Sequence, residues 1–187
     1  MQIENYIEIS ESIKYYLENH TSVLTEKLLW KFLEVDPLLT AVPQLDKVFK
    51  KYNLEIVMAA VVYRQPHSQG GIHIDSSTFY RVLWPVMNCQ GSKTKFFRHD
   101  PKKFIPRKGI DGDKSLSVIP GANLDFLDEF ELNKPVIFDP SIPHGVYCNP
   151  NFEEPRVSIT FGFNVDPRNI MLNENNELFY RTLEHAK

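Results

Sequence analysis

The chain has 187 residues, 42% hydrophobic and 24% charged, which is an ordinary globular composition and excludes a disordered chain. Lys and Arg number 21 against 24 Asp and Glu, and the formal charge of -3 supplies no basic field for nucleic acid or a membrane surface. Two cysteines, Cys89 and Cys148, are too few for a disulfide scaffold and fit a reducing compartment.

The length predicts a single domain over residues 1–187. The opening residues MQIENYIEIS show neither a basic nor an apolar leader region, and no apolar run reaches spanning length, so a cytoplasmic protein is expected. Residues 1–53 read as a helical buttress. A helix is expected from Asn5 to Asn19. Leu24, Leu28, Leu29, Phe32 and Leu33 recur at helical spacing up to a stop at Asp36-Pro37. Pro43 suits the first turn of a further short helix carrying Leu45, Val48 and Phe49 on one face.

From Leu54 the pattern changes. LEIVMAAVVYR (54–64) is a long, nearly continuous apolar run, expected as a central strand. A polar connector leads to Gly70-Gly71, read as a tight turn, and then to IHID (72–75), FYRVLWPVMNC (79–89) and TKFFRH (94–99). Residues 101–123 form the longest stretch read as irregular; their Lys102, Lys103, Arg107 and Lys108 fit a solvated loop better than a lid for an anion. LDFLDEFEL, PVIFDP, HGVYCN and RVSITFGFNV follow as strands, and residues 167–187 read as a helical tail. About eight short strands over 54–166 predict a sandwich or barrel, with the helices packed outside.

The chemistry sits in His73-Ile74-Asp75, a later Pro143-His144-Gly145, and Arg156-Val157-Ser158. Alternate residues of a strand share a face, so His73 projects with Asp75, and Arg156 projects with Ser158 and Thr160. With His144 alongside, two imidazoles and one carboxylate present a donor set that leaves metal positions open, as in non-haem Fe(II) oxygenases. An arginine beside a hydroxyl offers a rigid fork for a distal carboxylate, although an edge-strand Arg156 paired with Glu153 or Glu154 is the plainer alternative. His67, His99 and His185 read as surface residues, and His20 as a helix end.

The order H-x-D, His, R-x-S resembles the Fe(II)/2-oxoglutarate-dependent dioxygenases, and FDPSIPHGVYCN with PRVSITFGF resembles the branch related to the aspartyl/asparaginyl β-hydroxylases. Asp75 departs from that branch, which lacks a carboxylate ligand. The resemblance covers roughly residues 54–166. It implies a mainly β fold with flanking helices, a double-stranded β-helix or cupin-like jelly roll. It implies Fe(II) held by His73, Asp75 and His144, and 2-oxoglutarate held by Arg156 with Ser158, with Tyr63 or Arg81 as a further support. The implied activity hydroxylates a small molecule or peptide side chain while 2-oxoglutarate is decarboxylated to succinate. The alternatives are a non-catalytic cupin-like binding module and a metal-dependent cupin isomerase, neither of which needs a carboxylate anchor.

Overall fold

The computed structural model describes residues 3, 5–27, 29–75, 80–108 and 114–167. Four helices come first: α1 (Tyr6–His20), α2 (Val23–Glu26), α3 (Val35–Ala41) and α4 (Pro43–Lys50), with β1 (Trp30–Leu33) between α2 and α3. The strands continue as β2 (Ile56–Arg64), β3 (His73–Ile74), β4 (Arg81–Met87), β5 (Lys93–Phe97), β6 (Phe104–Lys108), β7 (Lys114–Val118), β8 (Phe126–Glu131), β9 (Val136–Phe138), β10 (His144–Tyr147) and β11 (Arg156–Phe163). They build two sheets, ordered β1-β2-β11-β4-β9 and β6-β7-β3-β10-β5-β8, with every pairing antiparallel. The fold is mainly β with flanking helices, a double-stranded β-helix. No helix among the described residues is long and apolar enough to cross a membrane.

The apolar runs in β2, β4 and β11 follow from burial on both faces. One face of the five-stranded sheet turns Val61, Tyr63, Val82, Trp84, Ile159 and Phe161 toward the helices, where they join Ile13, Leu17, Leu45 and Phe49 in the larger core. Phe49 and Phe161 pack against Trp84 with ring centroids 6.1 and 6.2 Å away. The Trp84 indole donates to Ser10 Oγ at 2.9 Å, and Ser10 donates to the Pro85 carbonyl at 2.8 Å, which ties α1 to β4. The opposite face of this sheet looks into the barrel. A smaller core of Leu83, Phe96, Leu132, Val136 and Phe138 closes part of that interior.

Three expectations change. The apolar residues at 24–33 do not form one helix: α2 stops at Lys27, which is left-handed (φ 52), and β1 then pairs along β2 with Trp30 opposite Val62 and Leu33 opposite Ala59. Ladder hydrogen bonds to a preformed strand outweigh local helical spacing here. Asp36-Pro37 lies inside the first turn of α3, where the N–H that proline lacks has no helical partner anyway. The stretch read as a long loop carries the β6–β7 hairpin, with Pro106 tolerated because β6 is an edge strand. The expected C-terminal helix falls on residues 168–187, outside the described residues.

Candidate metal centre

β10 is the organising strand of the site. It lies between β3 and β5, and its first residue, His144, is opposite both His73 and Phe96. The segment before β3 runs against it too, through a Gly70 N–H to Val146 carbonyl bond of 2.6 Å. A Cβ at Gly70 would make tight contacts, 3.2 Å from the Arg64 guanidinium and 3.3 Å from the Val146 backbone, so glycine suits this close approach. The tight turn expected at Gly70-Gly71 falls earlier, at Pro66 and His67, and Gln69 already bridges to Tyr147. Past β3, the Asp75 N–H bonds the Pro140 carbonyl at 3.0 Å and brings its carboxylate back to the imidazoles.

This backbone places the His73 and His144 rings 4.5 Å apart between centroids. Each Nδ1 faces the carbonyl two residues earlier: His73 to Gly71 at 2.9 Å and His144 to Ile142 at 2.8 Å. A carbonyl only accepts, so each Nδ1 carries the proton, and Nε2 is the nitrogen left to face an ion. His73 Nε2 lies 3.5 Å from Asp75 Oδ1. One donor atom from each of His73, Asp75 and His144 falls in a set no more than 4.8 Å across. Ligand atoms at about 2.0–2.2 Å on adjacent positions of one ion stand roughly 3 Å apart, so side-chain movements of up to about an ångström close such a set. His144 is buried against Phe96 and Phe138. Burial, and then the neighbouring His73, hold its pKa well below the ordinary imidazole value, with Asp75 offsetting part of the effect. His144 is therefore a neutral nitrogen donor at neutral pH. The donor set, its tautomers and its spread all fit a divalent metal with positions left open.

The same three residues line a cavity between the sheets, together with Arg81, Arg156, Ser158 and Thr160. It encloses about 60 Å³ of space for water centres, several times the roughly 10–15 Å³ that a single water requires. β11 is a central strand rather than an edge, and Arg156 on it is 2% exposed. Its Nη1 donates to Ser158 Oγ at 3.2 Å, while its Nε finds no hydrogen-bond acceptor among the described residues. No ion pair joins Arg156 to a carboxylate among the described residues; Glu153 instead faces His67 at 3.4 Å. Two further buried atoms on the cavity wall, Thr160 Oγ1 and Thr94 Oγ1, also have no partner among the described residues. Three orphaned polar atoms lining one cavity mark where a polar ligand restores the missing bonds.

Arg81 reaches the cavity too, but its Nη1 stands 3.4 Å from Asp75 Oδ2. Tyr63, suggested as a co-substrate support, lies on the other face. It is opposite Val157 in the ladder and buried in the helix-side core, whereas Arg64, opposite Arg156, lines the cavity. Strand alternation allows only one of these two neighbours to face inward. Trp30 and Thr94 are lining residues that sequence reasoning missed. Trp30 was hidden by the helical reading of its segment. Thr94 had no signal in the sequence, since it reaches the cavity through the pairing of β5 with β10, two residues from Phe96 opposite His144. Both cysteines are free thiols; Cys89 is buried and donates to the Val157 carbonyl at 3.1 Å.

No protein-family model matches this chain. No curated protein matches it in sequence. Among solved structures it is similar to the epimerase SnoN, crystallised with Fe3+, alpha ketoglutarate and nogalamycin RO, at a TM-score of 0.55. That likeness has 10% identity and covers 86% of this chain and 74% of SnoN. It is also similar to the apo form of the non-heme monooxygenase ThoJ, at a TM-score of 0.51 and 11% identity over 88% of this chain and 71% of ThoJ. At such identities the likeness speaks for the architecture alone, and that architecture is the cupin-like double-stranded β-helix.

Proposed function

We propose that this protein is an Fe(II)- and 2-oxoglutarate-dependent oxygenase that hydroxylates its substrate. The observation that carries the reading is Arg156, a buried guanidinium without a carboxylate partner among the described residues, facing the same cavity as the His73, Asp75 and His144 donors. The SnoN complex, which holds iron and alpha ketoglutarate in a similar fold, supports the same pairing.

His73, Asp75 and His144 would hold the iron, with the two Nδ1–H bonds keeping the imidazoles aimed. Arg156 would take the distal carboxylate through its fork, and Ser158, Thr160 and Thr94 would supply hydroxyls around it. Bound iron would supply the activation of dioxygen, the four-electron oxidant, with one oxygen atom going to succinate as the 2-oxo acid loses carbon dioxide and the other to an unactivated C–H bond of the substrate. The chain contributes position and exclusion of bulk water, with Phe138, Leu83 and Val62 as apolar walls. A binding module without catalysis would not require a carboxylate anchor beside three metal donors.

An anaerobic titration with Fe(II) and 2-oxoglutarate tests the proposal. The expected result is a visible metal-to-ligand charge-transfer band in the wild type, lost in His144→Ala and needing far more 2-oxoglutarate in Arg156→Ala. Folded, iron-loaded protein without a band would overturn it.

A further inference from the structure

We infer that Arg81 is a positioning residue for the carboxylate ligand, and that it does not anchor the co-substrate. This rests on the metal reading above and assigns one more role within that site. Asp75 has two oxygens with different neighbours. Oδ1 faces His73 Nε2 at 3.5 Å, on the side where the donor atoms converge, while Oδ2 faces Arg81 Nη1 at 3.4 Å. Both side chains are largely withdrawn from solvent, at 13% exposure for Arg81 and 22% for Asp75, so water competes weakly for the pair.

The backbone holds this arrangement. Arg81 begins β4 in the five-stranded sheet and is opposite Phe138 of β9. Asp75 follows β3 in the other sheet, anchored to the Pro140 carbonyl. The ion pair therefore bridges the two sheets at the metal-binding end of the cavity. A carboxylate whose outer oxygen is engaged presents one oxygen to an ion. A carboxylate without that partner is free to rotate, or to chelate through both oxygens and occupy a position that a 2-oxo acid needs. Partners of this kind usually alter metal affinity by about 10–100-fold when removed.

The test uses the metal alone. Mn(II) and Co(II) binding to the full chain is measured by calorimetry for wild type, Arg81→Met and Arg81→Lys, with His144→Ala as the control that abolishes the site. Arg81→Met is expected to weaken binding by about 10–100-fold. Arg81→Lys, which keeps a cationic donor, is expected to recover most of that loss. At saturating Co(II), the d–d absorption of Arg81→Met is expected to differ from wild type, because the carboxylate binding mode has changed; a residue that only supports the fold would leave it unaltered. Thermal melts of both variants verify that they fold. Wild-type metal affinity and an unchanged Co(II) spectrum in Arg81→Met would overturn the inference. So would unchanged metal affinity with weakened 2-oxoglutarate binding, which would make Arg81 a co-substrate anchor. Wild type and His144→Ala binding metal equally poorly would instead remove the metal centre itself, and this assignment with it.

Discussion

Replacing Arg156 with methionine separates a ligand-binding role from a structural one. The side chain is 2% exposed, has one hydrogen bond to Ser158, and leaves Nε without an acceptor. An unsatisfied buried polar group costs about 1–3 kcal/mol, and more when charged. Replacing buried ionic groups by apolar ones of similar volume is neutral or stabilising by about 1–4 kcal/mol. Ligand-free Arg156→Met is therefore expected to be more stable by about 1–3 kcal/mol, at roughly 2–4 °C in Tm per kcal/mol for a chain of this size. The ligand behaves in the opposite way. Truncating one partner of a buried, hydrogen-bonded charge pair costs about 2–5 kcal/mol, so 2-oxoglutarate affinity falls at least ~30-fold. The assay is thermal unfolding without oxygen, with Mn(II), in the presence and absence of 2-oxoglutarate. At about 100 times Kd the wild type gains about 2.7 kcal/mol from the ligand, and the variant at the same concentration gains about 0.9 kcal/mol or less. A ligand-free variant destabilised by more than about 2 kcal/mol would refute the reasoning, because Arg156 would then be satisfied within the fold. An undiminished ligand shift would refute it equally.

Three further outcomes are expected. Of the two tryptophans, Trp84 is wholly buried on the helix side while Trp30 lines the cavity. Adding Mn(II) and 2-oxoglutarate should change the intrinsic fluorescence of wild type, and Trp30→Phe should abolish that change. Ser10→Ala strands both the Trp84 indole N–H and the Pro85 carbonyl, and should cost about 1–3 kcal/mol in urea unfolding while leaving Mn(II) affinity as it was. Burial pushes the Cys89 thiol pKa up, so native protein should show one fast-reacting thiol with Ellman's reagent and two after denaturation. Cys148→Ser should remove the fast phase.

Features under local control were legible in the chain's residues. Strand alternation put Ser158 and Thr160 on the face of Arg156, and the H-x-D spacing put Asp75 near His73, although β3 ends at Ile74 and the bond to Pro140 sets the carboxylate; all five line one cavity. The nearly continuous apolar run at 54–64 announced a central strand, and β2 is one, lying between β1 and β11. Pro43 marked the start of α4. Tertiary structure decided what depends on partners distant in the chain. Residues 30–33 have helical spacing and became a strand because the edge of β2 was there to pair with. That pairing brought Trp30 to the cavity. Whether Tyr63 or Arg64 faces inward is a choice of phase that a single strand leaves open; the register Arg64 to Arg156 makes it. Arg81 reads in sequence as one more cation for a dicarboxylate, and only the approach of β4 to the end of β3 aims it at Asp75. The joining of His73 to His144 is of this second kind as well. Each imidazole is set by its own strand, and the metal-binding distance between them exists because β3 pairs with β10.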